Sequence, residues 1–167
     1  LLSGGTGSVS HTEEVPSFLP DRFEPGTPNI PGILGLHAAL CDLEQTDMDK
    51  LHQHELELTQ YFINGLMQMD PSESTLRAIG KHNTIERTSV VSVQTLQTDM
   101  ARVAYEMDDT YGIMTRVGLH CAPSAHKTLG TYPEGTIRFS FGPENTHHEV
   151  DLALHALAEI TGSPYHL

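Results

Sequence analysis

Apolar positions in this chain follow two rhythms, one helical and one alternating. From Asp47 to Met69 they recur near helical spacing, at Leu51, Leu56, Leu58, Phe62, Leu66 and Met69, and Asp47 and Asp49 suit the positive end of the helix this predicts. The helical period returns from Thr98 to Met107 and from Thr146 to Ile160, where Val150, Leu154, Leu157 and Ile160 form a stripe with Leu152 to one side. Thr146 and Glu149 have the spacing of a capping box, in which each satisfies an orphan amide of the other. Alternation over Thr88 to Leu96 and Thr136 to Phe141 predicts strands with one buried face, and Thr115 to Gly118 reads as a short strand. Ile30 to Leu43 is apolar almost all round, the pattern of a buried helix, with Thr27 or Asn29 as its cap and Pro31 in its first turn. Cys41, inside that run, reads as a core residue, since free cysteine is among the most buried residue types.

These elements divide the chain. Pro16 to Pro31 holds five of the ten prolines and predicts an extended connector. Residues 1–46 precede a helix, 47–69, long enough to bridge two domains, and from Asp70 to the end at residue 167 the pattern is that of a smaller α/β unit. Two helices on a small sheet make that unit a compact α+β domain.

Composition narrows the function classes. A chain of 167 residues with 38% hydrophobic content can bury one core or slightly more, and a net charge of -13 argues against nucleic acid or an anionic membrane surface as partner. No apolar run is long enough to span a bilayer, and no signal-peptide pattern is read at the start. The opening Leu1-Leu2-Ser3-Gly4-Gly5 reads as a strand end entering a glycine loop cut from something longer. Two cysteines in different contexts, Cys41 and Cys121, favour a reducing, cytoplasmic compartment. The loop Ser3 to Ser10 lets backbone approach a ligand or subunit closely, but it lacks the Gly-Lys-Ser/Thr ending of a P-loop. His52 and His54 are two apart and His147 and His148 adjacent, so neither pair shares a helix face, and no metal site is expected.

The stretch Arg116 to Pro143, RVGLHCAPSAHKTLGTYPEGTIRFSFGP, carries the candidate chemistry. It sets Cys121 in a loop between His120 and Pro123, then returns to the strand bearing Arg138. A thiolate is the reactive form of cysteine, and a strand-borne guanidinium fork suits a substrate carboxylate. The combination points to chemistry on an anionic, sulfur-reactive substrate. The structural alternative for Cys121 is a small buried hydrophobe.

Three separated segments, RFEPGTPNIPGILGLHAAL, RVGLHCAP and GTIRFSFGPENTHHEVDLALHALAEI, together resemble the C-terminal part of the cysteine desulfurase and selenocysteine lyase group of class-V, pyridoxal-phosphate-dependent enzymes. The resemblance runs through nearly the whole chain in the family's order. It implies the C-terminal domain of the aspartate aminotransferase-like fold plus the tail of the large domain. On this basis Cys121 is similar to the catalytic cysteine that takes sulfur or selenium from cysteine or selenocysteine, leaving a persulfide and alanine. Arg138 resembles the arginine that holds the substrate α-carboxylate, and His120 stands where family members often have a histidine before the cysteine. Thr27 resembles the residue that reaches across a homodimer interface to the cofactor phosphate, and the Gly4-Gly5-Thr6-Gly7 loop resembles the glycine loop there, placing Gly5 and Thr6 near the cofactor. A sulfur-acceptor protein is the further partner implied.

The resemblance also implies a Schiff-base lysine upstream of the glycine loop, ahead of Leu1. Ser124-Ala125-His126-Lys127 imitates that lysine's motif, but it follows the cysteine, so Lys127 reads as a surface-loop lysine. The isolated chain is therefore expected to be inactive. Two other readings stand beside this one: a non-catalytic binding or assembly module that kept the fold, and another class-V reaction such as transamination or β-elimination. In a fragment, Ile33, Leu34 and Leu36 of the first helix are expected to be left exposed and to drive self-association.

Overall fold

The computed structural model describes Gly5 and residues 9–164, and the chain divides into two compact units, Leu1–Asp47 and Met48–Leu167. In the first unit a short 3-10 turn, Asp21–Phe23, precedes helix α1, Ile30–Gln45. Of the two expected caps it is Asn29 that acts, its side chain accepting from the Gly32 amide at 3.1 Å, with Pro31 in the first turn. The reading of α1 as a buried helix does not hold within the chain, where none of its residues is buried, whereas the exposure expected of Ile33, Leu34 and Leu36 is found, at 56%, 60% and 61%. Cys41 is likewise not core; it is half-buried, with Sγ 3.7 Å from His37 Nδ1. An all-apolar helix signals that cover is required, but it does not supply the layer that covers it.

The second unit is an antiparallel sheet with helices on one face. Its strands are β1 (Leu76–Ile79), β2 (Val90–Thr95), β3 (Arg116–Gly118) and β4 (Thr136–Ser140), in the spatial order β1-β2-β4-β3. Helices α2 (Met48–Met69), α3 (Met100–Tyr111) and α5 (His147–Thr161) pack on it, and a short helix α4 (Pro123–Leu129) lies between β3 and β4 in sequence. Period-two alternation turns Val91, Val93, Ile137 and Phe139 toward the helices, where they meet Leu58, Phe62, Ile63 and Leu66 of α2, Val103 and Met107 of α3, and Val150, Leu154 and Leu157 of α5. Phe62 stands at the centre, its ring 4.8 Å from that of Phe139 and 5.3 Å from that of Phe141.

The local signals explain where elements begin and end. Helix α5 opens with the expected capping box: Glu149 N donates to Thr146 Oγ1 at 3.3 Å, and Thr146 N donates to Glu149 Oε2 at 2.8 Å. Helix α3 starts after Asp99, which accepts from Arg102 N at 2.8 Å, and runs past the expected Met107 because nothing stops it before the left-handed Gly112. The helix expected to bridge two domains groups with the second unit, and its burial starts only at Leu58. Strand β1 leaves no alternating signal in the sequence because it is a four-residue edge strand with one buried residue, Leu76.

What positions β1 is Asp70, at the end of α2. Its carboxylate accepts from Thr75 N at 2.6 Å, Leu76 N at 3.0 Å and the Ser72 hydroxyl at 2.8 Å. Burial pushes its pKa up, but the amides of Leu76 and Thr75 and the hydroxyls of Ser72 and Ser74 outweigh that and hold it at about 2. A depressed carboxylate stabilises the fold above its unfolded pKa, and that stability is lost as pH falls through the folded value. Asp70→Ala is therefore expected to cost roughly 1–3 kcal/mol at neutral pH by stranding two amides. In urea titrations it should also flatten the acid dependence below about pH 4; a wild-type slope in the variant would contradict this.

Candidate active site

The pairing of β3 with β4 sets Arg116 directly opposite Arg138 and Gly118 opposite Thr136. Ile137 and Phe139 face the helices, so both arginines lie on the sheet's other face, where Ser92 of β2 is the next neighbour of Arg138. Arg116 is exposed and Arg138 half-buried, with its Nε buried and without a partner. Among the described residues neither guanidinium is in an ion pair. Like charges directly opposite across a ladder repel, and an anion bound between them would relieve both.

Beyond Gly118 the chain turns sharply through Leu119-His120-Cys121-Ala122, closed by Ala122 N donating to Leu119 O at 2.8 Å. His120 and Cys121 both have positive φ, 50° and 61°, the sign pattern of a type I′ turn, which is normally built from glycine and asparagine. Cys121 sits at this turn with its side chain exposed. Gly135, at φ 82°, runs so close to Gly118 that a Cβ there would strike the Gly118 carbonyl, so Gly135 must lack a side chain, while Gly118 is favoured as glycine by its own φ of 111°.

His120 points away from solvent. Its Nε2 lies 3.1 Å from the Thr136 carbonyl and 3.2 Å from Thr136 Oγ1, and because a carbonyl only accepts, Nε2 carries the proton. Nδ1 is left as a buried lone-pair acceptor without a partner. Burial, then the positive charge of Arg138, lowers the His120 pKa; the bond to Thr136 opposes this, and His126 and Arg116 add to the lowering. The imidazole is therefore neutral at pH 7 and able to accept a proton, one residue from the thiol.

The other sequence-derived site residues belong to the first unit. Thr27 is exposed and follows Gly26, which has φ 88°; a Cβ on Gly5 would sit 3.6 Å from Gly26 Cα, so Gly5 and Gly26 approach each other. Glycine backbone and a threonine hydroxyl are groups of the kind that bind a phosphate. Thr6 lies outside the described residues. Lys127 is on α4 rather than in a loop, exposed, with its ammonium 5.1 Å from the centre of the Tyr132 ring. Among the described residues no cluster of three or more His, Cys, Asp or Glu side chains could hold a metal ion, and no helix is long and apolar enough to cross a membrane.

The structure thus brings Cys121, His120 and Arg138 into one region and adds Arg116, Thr136 and His126, to which the sequence pattern assigned no role. Arg116 was findable: it opens the segment RVGLHCAP, two residues before the glycine that pairs with Thr136. The missing step was the register between the two strands.

The chain and its fold have known counterparts. The aminotransferase class-V family model matches residues 1–153, and the chain belongs to that family. A probable cysteine desulfurase of Borreliella burgdorferi is 32% identical over 132 residues, covering 79% of this chain and 30% of the relative. One from Pyrococcus abyssi is 35% identical over 144 residues, covering 86% and 34%. Among solved structures, the apo cysteine desulfurase from Thermococcus onnurineus NA1 superposes with a TM-score of 0.73 at 33% identity, covering 86% of this chain and 34% of that one. The chain spans about a third of the length of these proteins.

The electrostatics of His120 are directly measurable. Its imidazole should titrate below the usual value of about 6.5, followed by NMR, and Arg138→Ala should move it part of the way back. Because the folded pKa is depressed, His120 contributes stability that is present above the unfolded pKa and lost as pH falls through the folded one. A His120 titration at or above the usual value would contradict this geometry.

Proposed function

We propose that this chain is the part of a pyridoxal-phosphate-dependent cysteine desulfurase that supplies the sulfur-accepting thiol and the arginine for the substrate carboxylate. The observation that carries the reading is that the turn exposing Cys121 also holds a neutral His120 against Thr136, on the strand that bears the unpaired Arg138. In this reading residues 1–46 are the tail of the large cofactor domain, 47–69 the connecting helix and 70–167 the small domain. The complete protein is a homodimer acting on cysteine or selenocysteine, with a sulfur-acceptor protein downstream.

Each group has a defined task. Arg138 takes the α-carboxylate through charge-assisted hydrogen bonds, for which its unpartnered Nε is available. His120 Nδ1 accepts the proton of the Cys121 thiol. The thiolate then bonds to the substrate sulfur, the substrate carbon–sulfur bond breaks with its electron pair passing to the carbon fragment, and that fragment takes up a proton to become alanine. The product left on the protein is the Cys121 persulfide. When bound, pyridoxal phosphate supplies the electron sink that makes bond breaking beside the substrate α-carbon accessible. Thr27, Gly5 and Thr6 would hold its phosphate, with Thr27 reaching the cofactor of the partner subunit. None of the three lysines of the chain, Lys50, Lys81 and Lys127, is its covalent anchor.

Two experiments test the reading. The purified chain, titrated with pyridoxal phosphate, reduced with borohydride and mapped by peptide mass, should show no specific adduct; a stoichiometric adduct on Lys127 would mean that the chain holds its own cofactor site. In the complete protein, Arg138→Lys should raise KM for cysteine by tenfold or so, the loss of about 1.4 kcal/mol of binding. Cys121→Ala should abolish sulfur release, whereas transamination or β-elimination on the same scaffold would survive it.

A further inference from the structure

Residues with positive φ other than glycine are strained, and they persist only where the surroundings over-determine them. His120 and Cys121 are two such residues in succession, at the point where a thiol must be aimed. The N-terminal end of their turn is fixed by the Gly118–Gly135 contact and the Gly118–Thr136 pairing. The C-terminal end runs into α4, a helix of seven residues, which is too short to be stable alone.

Only one residue of α4 is buried, and it is His126. Its backbone amide donates to the Ala122 carbonyl at 3.2 Å, tying the helix to the residue after Cys121. Its ring Nδ1 lies 2.7 Å from Oγ1 of Thr131, which is fully buried, and Thr131 N donates to the His126 carbonyl at 2.9 Å. Thr131 in turn accepts from Gly135 N at 2.7 Å, which returns the chain to Gly118. These contacts form a closed circuit around the cysteine turn, and the ring of His126 also stands 5.8 Å from that of His120. A core filler here would need only apolar volume. The polar bond to a buried hydroxyl fixes the orientation of the side chain as well, because leaving either group unpaired would be costly.

We propose that His126, clamped by Thr131, is the positioning residue that holds the left-handed His120–Cys121 turn and so sets the direction of the Cys121 thiol. The importance of that direction rests on the reading of Cys121 as a sulfur acceptor, but the clamp is testable without it. The experiment uses the isotopically labelled chain and three variants: Thr131→Val, which keeps shape and removes the hydroxyl; His126→Leu, which keeps volume; and His126→Asn, whose amide can reoccupy the Nδ1 position. NMR reads the exchange rate of the Ala122 amide, the Cys121 Cα and Cβ shifts that report left-handed backbone, and the exchange of the core amides of Val91 and Ile137.

The expected result is Ala122 exchange at least tenfold faster, with loss of the left-handed shifts of Cys121, in Thr131→Val and His126→Leu. Core amides should change far less, and His126→Asn should return Ala122 to within about threefold of the parent, a difference of about 0.7 kcal/mol. An unchanged Ala122 in Thr131→Val would overturn the proposal, as would equal acceleration of core and turn amides or failure of His126→Asn to rescue. A complete protein in which Cys121 carries no sulfur would strike the functional reading and leave the exchange result standing.

Discussion

The antiparallel contact between β3 and β4 is the interaction on which the candidate site depends. It is only three residue pairs long, yet it sets Arg116 against Arg138, brings Gly118 beside Gly135 and hands His120 its acceptor on Thr136. Slipping that register by one residue would send Arg138 to the core face and Ile137 to the open one. The buried side chains of Ile137 and Phe139 against α2, α3 and α5 prevent the slip, so the hydrophobic core determines where the arginine stands. Packing on one face of the sheet is in this sense the cause of chemistry on the other.

The charge distribution follows the same division. Of nine basic side chains in a chain of net charge -13, three, Arg77, Arg116 and Arg138, alternate onto the sheet face opposite the helices. The acidic groups described in ion pairs, Glu73, Glu86, Glu106 and Glu159, are engaged elsewhere by Lys81, Arg102, His82 and His155. A local cationic strip on an acidic molecule attracts a small anion by short-range bonding and offers little to a polyanion at longer range. Placing a histidine in that strip has a second effect: partly buried and under the charge of Arg138, His120 is kept neutral and retains a basic nitrogen without a hydrogen-bond partner, one residue from Cys121 in the chain.

Much of this was legible in the sequence where one residue type has one physical meaning. The Thr146–Glu149 capping box, the alternation of β2 and β4 and the stripe of α5 each state their own conformation. The three segments that resemble cysteine desulfurases led to Cys121, His120 and Arg138. Relations between elements were not legible: Arg116 gains its significance from a partner on another strand, and His126 from a threonine five residues later that closes the circuit around the turn. The apolar run of α1 and its Cys41 were read as core because hydrophobicity reports the need for burial, whereas burial itself depends on what lies alongside. Lys127, in a sequence that imitates a cofactor-binding lysine, stands exposed over Tyr132, a reminder that a motif acquires chemistry only from its surroundings.

The central claim is that Cys121 receives the sulfur of the substrate, and the most direct measurement is the mass of the peptide carrying Cys121 after the complete protein has turned over isotopically labelled cysteine. The account predicts one added, labelled sulfur atom on that peptide, removable by a thiol reductant, with none on the peptide carrying Cys41. Turnover to alanine with an unmodified Cys121 peptide at every quench time, or with the label on Cys41, would contradict it.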